Sequence, residues 1–202
     1  MEEQVTTPYL HSSETKLLLQ VRKDLDRLEG FREFAYPDVI KPLFQKFPRR
    51  DWGFRPAREI LEELGVSPPT AAKEGAPWTV GFGFTDGVNM DSRMGRYTAE
   101  RKLDAKILEI DTALSKALPW YKDEASFVTK TILINMVFQI GLVGVLKFRN
   151  TLGYIKQRNY KQAASNMRQS LWAKQTPSRA SELARRIETQ EIPSQYKAPE
   201  KI

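Results

Sequence analysis

The 202-residue sequence predicts an α+β fold, a mostly helical two-lobed architecture with a small antiparallel β-sheet and a long connecting helix. Three observations lead there. Apolar residues recur at helical spacing early in the chain. One stretch, "PWTVGFGFTDGVNM", alternates large and small residues as a strand does. From Thr98 the pattern is helical almost to the end. The order helix, small sheet, long helix, helical bundle implies two lobes with a cleft between them.

Residues 1–15 read as an N-terminal extension. Leu18, Val21, Leu25 and Leu28 then predict a helix over about 15–28, with Gly30 in a C-cap position. "FAYPD" reads as a short strand stopped by Pro37. A Pro- and Arg-rich segment of about 42–76 interrupts the sheet; within it "RPAREILEELG" carries helix signals, Pro56 near the start and Gly65 at the end. Val80, Phe82 and Phe84 alternate with Thr79, Gly81 and Gly83, and Asp86-Gly87 supplies a hairpin turn. The glycines are expected to leave one face of this sheet open to a ligand.

The lobe formed by 16–97 ends there, and 98–190 makes the connecting helix and the helical lobe. Thr98 is a plausible N-cap. Leu103, Ile107, Ile110 and Leu114 mark one helix face, which Pro119 ends. The most apolar helix is expected over 123–141, shorter ones over about 144–157 and 160–171. Thr176-Pro177 reads as an N-cap followed by proline at the first helical position, opening a helix to about 189. Residues 191–202 read as a loose tail.

The chain is 41% hydrophobic and 28% charged, enough apolar residues for a globular core. It has no cysteine, so disulfide and thiolate chemistry are excluded. Its single histidine, His11, argues against a histidine triad or a multi-histidine metal site; no cofactor and no metal are expected. The N-terminus lacks the basic-then-apolar pattern of a signal peptide. "TILINMVFQIGLVGVL", residues 131–146, contains Asn135 and Gln139 and reads as a buried core helix, so no stable membrane insertion is expected. The net charge of +7 and pI near 9.5 suit an anionic partner: nucleic acid, membrane or cell-wall polymer. Lys and Arg are spread along the chain and no zinc-finger, RNP-like or P-loop pattern occurs, which argues against nucleic acid.

"LEGFREFAYPD" places Glu29 at a helix end and Asp38 nine positions on. Two carboxylates across a cleft suit glycoside hydrolysis, one protonated as acid and one ionised. The helix C-terminus and the neighbouring Phe31 and Phe34 favour a protonated Glu29, while Asp38 ionises easily beyond Pro37. On spacing alone the pair reads rather as two solvated surface acids.

"LEGFREFAYPD", "WTVGFGFT", "INMVFQIG" and "WAKQTPSRA", in this order, resemble the phage-type lysozymes of glycoside hydrolase family 24. The resemblance covers about 16–41 and 77–190, and from about Ser126 to Thr189 it is nearest to the T-even phage type. It implies a muramidase that cuts the β-1,4 bond between N-acetylmuramic acid and N-acetylglucosamine, with inversion. It assigns Glu29 as the catalytic acid, Asp38 as the aspartate of the same motif, and Thr79 as the threonine that positions the attacking water. It places Phe138, Gln139, Thr151 and Asn166 where saccharide or its peptide is contacted, and Arg179 where an arginine pairs with the glutamate. Phe84 stands where the family usually has histidine, and the long segment between Asp38 and Thr79 departs from the family's short connection.

The resemblance implies bacterial peptidoglycan as the partner, for phage-mediated host lysis or cell-wall penetration. A monomer is expected, held in the host cytoplasm before release or carried in a virion. A non-catalytic cell-wall-binding or virion module of the same fold is the alternative. The 42–76 segment reads as a cleft-side element offering Phe47, Trp52 and Phe54 to sugar and Arg49, Arg50, Arg55 and Arg58 to peptide carboxylates, or as a surface embellishment that packs Ile60, Leu61 and Leu64. If the basic surface serves encounter with an anionic envelope, lysis of permeabilised bacteria falls as salt rises, because exposed charges are screened beyond about 8 Å at physiological ionic strength. Activity that stays flat from low to high salt rejects that role for the charge.

Overall fold

The structure is a computed structural model and describes residues 12–37, 52–75 and 77–197. Its elements are α1 (Ser12–Glu29), β1 (Arg32–Pro37), α2 (Ala57–Glu63), α3 (Pro68–Gly75), β2 (Trp78–Gly81), α4 (Arg96–Ala117), α5 (Tyr121–Glu124), α6 (Phe127–Leu146), α7 (Arg149–Lys156), α8 (Tyr160–Arg168), α9 (Leu171–Gln175) and α10 (Pro177–Thr189), then a 3-10 turn at Ser194–Tyr196. This is the expected α+β class: mostly helix, with a two-stranded antiparallel sheet among the described residues. The chain forms two compact units, Leu25–Leu103 and the combination of Met1–Asp24 with Asp104–Ile202. The boundaries fall inside α1 and inside α4, so continuous helices carry the chain from one unit to the other.

In the smaller unit β1 pairs with β2, Arg32 opposite Gly81, Tyr36 opposite Thr79 and Pro37 opposite Trp78. The register is irregular between Arg32 and Tyr36. There the Phe34 N–H donates instead to the Gly53 carbonyl at 3.0 Å. Residues 92–94 run along β1 as well: the Ala35 N–H donates to Ser92 O at 2.9 Å and the Met94 N–H to Glu33 O at 2.8 Å. Gly53 has φ +82°, and a Cβ built on it would lie 2.6 Å from Arg32 Cδ, so only glycine fits this approach.

The described part of the segment between the strands is therefore joined to the sheet. Trp52, Ala57, Ile60 and Leu61 share one core with Ala35, Trp78 and Met90, and Leu64 and Val66 pack against it. Trp52 is 2% exposed, so it is a core residue and offers no face to sugar. Arg55 pairs with Glu59 and Glu63, and Arg58 with Asp91, so these arginines already face acids of the same unit. Phe47, Arg49 and Arg50 lie outside the described residues. The strand alternation expected over 79–84 stops at Gly81. Val80 and Phe84 exchange both backbone hydrogen bonds around a tight turn, which positive φ at Gly81 (+70°) and Gly83 (+99°) permits. Asp86-Gly87 makes a second turn rather than the hairpin between the two strands.

In the larger unit α6 is apolar all round and buried over most of Val128–Val137, with α10 packed on α6, α8 and α9, and α7 on α8. Among the described residues α6 is the one helix long and apolar enough to cross a membrane, but 56% of its apolar window is buried within the molecule. It starts at Phe127, where Ser126 Oγ accepts the Thr129 N–H, and it kinks at Gly141 (φ 71°, ψ 162°) where the sequence suggested an end. The expected 144–157 helix breaks at Lys147–Phe148, and the 160–171 helix breaks where Ser170 caps α9. Thr98 lies inside α4, which starts two residues earlier. Thr176 does not cap α10 with its side chain; its hydroxyl donates back to Trp172 O at 3.0 Å.

A buried charge cluster ties the unit together. Arg186 and Asp24 have side chains with no exposed surface and pair at 2.9 Å. Arg186 also donates to Thr131 Oγ1 at 3.0 Å and pairs with Glu182 at 3.6 Å, while Gln20 donates to Asp24. Residues 191–197, expected as loose tail, are docked instead: Ile192 is buried, Gln20 donates to Tyr196 O at 2.7 Å, and Lys23 donates to Lys197 O. Removing one partner of such a pair strands a buried charge. Arg186→Ala is expected to cost roughly 3–5 kcal/mol of stability, and the double variant Asp24→Leu/Arg186→Met less than the single one. Urea melts of the three proteins check this.

Candidate active site

Glu29 is the last residue of α1. Gly30 then takes φ +70° and its N–H closes onto Asp26 O at 3.0 Å, which turns the chain out of the helix and into β1. The Phe31 ring lies 5.6 Å from the Phe82 ring, so the turn after Glu29 packs on the turn after β2. Arg96 sits over both rings, 4.9 Å and 5.8 Å from their centroids. The same guanidinium donates to both carboxylate oxygens of Asp26, at 3.1 and 3.3 Å, and to Glu100 at 3.1 Å. The Asp26 hydrogen bond, above all, holds the Arg96 guanidinium above its ordinary value, so it stays a cation at any working pH. One aromatic pair and one cation thus fix where α1 ends relative to the Gly81–Gly83 turn.

Thr79 lies on β2 and is 2% exposed. Its hydroxyl is buried with no hydrogen-bond partner among the described residues. It stands opposite Tyr36, two residues before Asp38 in sequence; Asp38 itself lies outside the described residues. Glu29 is half-buried, with Oε1 shielded from solvent. Glu29 and Thr79 therefore belong to one unit despite the long segment between β1 and β2. The expectation for the glycines needs correction. A Cβ on Gly81 would meet Phe84 at 3.0 Å and Met94 at 3.1 Å, so that glycine serves the turn and its packing. Only at Gly83 is the space beside the backbone open.

The other residues expected at the site lie in the larger unit. Gln139, half-buried on α6, accepts the Trp172 Nε1–H at 2.8 Å. Trp172 meets Phe148 edge-on at 6.1 Å. The Thr151 hydroxyl on α7 donates to Asn166 Oδ1 on α8 at 2.7 Å. Asn166, Phe148, Trp172, Lys147 and Arg149 are among the residues that line a groove of about 650 Å³. Phe138 is half-buried one residue before Gln139, and Arg179 is half-buried on α10 with Nη1 shielded. So Gln139 and Asn166 lie at Trp172, and Thr151, 1% exposed, stands behind Asn166.

Sequence reasoning missed Trp172, Phe148, Phe82 and Arg96. Arg96 left a readable signal: a cation in the first turn of a helix opposes the helix dipole and needs an acid nearby. Trp172 lies within a motif already singled out, where only the arginine drew notice.

A small sheet joined to an all-helical unit, with a glutamate closing the first helix and a buried threonine on the second strand, defines a lysozyme-like protein. The phage lysozyme family model matches residues 63–190, more than half of the sequence, and the chain belongs to that family. The matched span takes in Thr79, Phe138, Gln139, Thr151, Asn166 and Arg179; Glu29 precedes it. Two curated proteins of Dictyostelium discoideum are similar to it. "Probable T4-type lysozyme 1" is 40% identical over 62 residues, 31% of this chain and 36% of that protein. "Probable T4-type lysozyme 2" is 38% identical over 60 residues, 30% of this chain and 35% of that protein. The chain spans about a third of the length of these relatives.

The geometry of the β2 turn generates a stability prediction. Gly81→Ala combines a left-handed backbone with a Cβ at 3.0 Å from Phe84. It is expected to cost about 1–3 kcal/mol. Gly65→Ala, also at positive φ but with nothing within 4 Å, should cost less. Thermal melts of both variants decide it.

Proposed function

We propose that this chain is a muramidase that hydrolyses the β-1,4 bond between N-acetylmuramic acid and N-acetylglucosamine of bacterial peptidoglycan, by inversion. The observation that carries the reading is the Thr79 hydroxyl. A buried hydroxyl without a protein partner costs stability, so it calls for a role in the working state. In this reading it holds the attacking water, with Asp38 as the base. Glu29, at a helix end and half-buried, gives its proton to the leaving oxygen. Family membership and the names of the two relatives support the same chemistry.

In this reading Phe138, Gln139, Thr151 and Asn166 are the residues that hold saccharide or stem peptide, and Arg179 is the arginine that serves the acid. The biological setting we propose is phage-mediated host lysis or cell-wall penetration. The protein acts as a monomer, from the host cytoplasm or from a virion, with no nucleic-acid partner and no stable membrane insertion.

Glu29→Gln is expected to lower lytic activity by about 10² to 10⁴, the usual contribution of a general acid, without loss of melting temperature. Thr79→Val keeps the side-chain shape and removes the unpartnered hydroxyl, so it should melt at or above wild type while losing activity. Turbidity assays and melts on the two variants test the assignment; a Glu29→Gln protein within about tenfold of wild type rejects it. An inverting enzyme, whose carboxyl groups stand ~6.5–9.5 Å apart to admit a water, gives an early product of opposite anomeric configuration. NMR of fresh product from a defined glycan reads this, and retention contradicts it.

A further inference from the structure

The segment between β1 and β2 leaves one large apolar side chain in solvent. Phe54 is 54% exposed, although its neighbour Trp52 is 2% exposed. Its ring is held. The Arg32 guanidinium lies over it, 4.3 Å from the centroid. Arg32 is held in turn, its stem packed against Gly53 and its Nη1 donating to Phe31 O at 3.0 Å. Gly53 is anchored through the Phe34 N–H. The turn that displays Phe54 is therefore pinned to β1 at two points.

The position is close to the start of the chemistry-bearing turn. A Cβ built on Gly30 would lie 3.2 Å from Arg32 Nη1, and Gly30 directly follows Glu29. Arg32 makes no ion pair with an acid among the described residues, unlike Arg55, Arg58, Arg93 and Arg96. A guanidinium carries five N–H donors, and the bond to Phe31 O leaves others for a ligand. An exposed aromatic ring backed on one face by a guanidinium suits a strand of acetylated amino sugars: the ring's other face stacks on the C–H face of one pyranose, and the guanidinium's N–H groups beyond the ring's edge donate to a hydroxyl or acetamido carbonyl of the strand.

We propose that Phe54 and Arg32 form a saccharide-binding platform for an N-acetylhexosamine ring of the glycan strand. The platform is supplied jointly by the segment between the strands and by β1. It rests on the muramidase reading for the nature of its ligand, and it adds to that reading a contact outside the catalytic residues. The stem peptide is not its ligand.

The test uses the full chain with Glu29→Gln to suppress turnover, and peptide-free glycan strands released by an amidase from peptidoglycan. Isothermal titration gives the dissociation constant. Adding Phe54→Ala is expected to weaken binding by about tenfold, the order of one lost stacking contact, while the melting temperature holds because the side chain is mostly in solvent. Phe54→Trp should restore binding. Phe54→Leu keeps apolar bulk without an aromatic face and should bind weakly, which keeps the test decisive if the alanine variant melts early. Arg32→Met keeps the stem that packs on Gly53 and should also weaken binding. Phe54→Leu and Phe54→Ala proteins that bind like their parent overturn the platform alone. So does a loss of affinity seen only with peptide-bearing strands. A Glu29→Gln parent that binds neither kind of strand, with a wild type that releases no reducing ends, overturns the muramidase reading and the platform with it.

Discussion

A guanidinium with no exposed surface must be met by charge and by hydrogen bonds wherever the chain folds, and Arg186 imposes that condition on the larger unit. Isolated, such a charge would cost several kcal/mol to desolvate. Its partners come from separate places: Asp24 from α1, Thr131 from α6 and Glu182 from its own helix. The first two can meet it only when α1, α6 and α10 stand in one arrangement. Gln20 extends the cluster from Asp24 to the carbonyl of Tyr196, so the chain after α10 is drawn onto α1 by the same set of contacts. Apolar packing alone tolerates sliding of one helix on another. A buried ion pair with directional neighbours does not.

The smaller unit relies on a different constraint, the close approach of Gly53 to β1. The strand register slips between Arg32 and Tyr36, and the Gly53 carbonyl satisfies the N–H that the slip leaves over. Without that carbonyl, Phe34 would lose a backbone partner. Around this one bond the segment between the strands folds back and buries Trp52, Ile60 and Leu61 against Trp78. What looked like a detachable insertion is half of a core. The same turn puts Phe54 outside, so one glycine decides both the burial of Trp52 and the exposure of its neighbour two residues on.

Within each unit, the polar groups at the candidate positions divide by how they are satisfied. Arg96 is fully engaged with Asp26 and Glu100 and braces two aromatic rings. Gln139, Thr151 and Asn166 are linked to Trp172 or to one another. Thr79 differs, being buried without a partner among the described residues.

The sequence by itself determined what depends on local rules. The period of Leu18, Val21 and Leu25 is enough for α1, and Gly30 for its end, because helix periodicity and a left-handed cap are properties of a few adjacent residues. Pro177 opens α10 for the same reason. The order of the short motifs raised Glu29 and Thr79 as candidates, again from adjacent residues alone. Only the tertiary structure decided what depends on partners distant in sequence. Gly81 and Gly83 look alike in the chain, yet Phe84 and Met94 close the space beside one and leave it open beside the other. The tail of 191–197 has no periodicity to read, and its order comes from Gln20 and Lys23 on α1. Arg186 reads as one more cation on an amphipathic helix; that it is buried follows from Asp24, 162 positions earlier in the chain. A residue's own neighbours set its backbone, but its burial and its charge partner are set by whatever the rest of the chain brings against it.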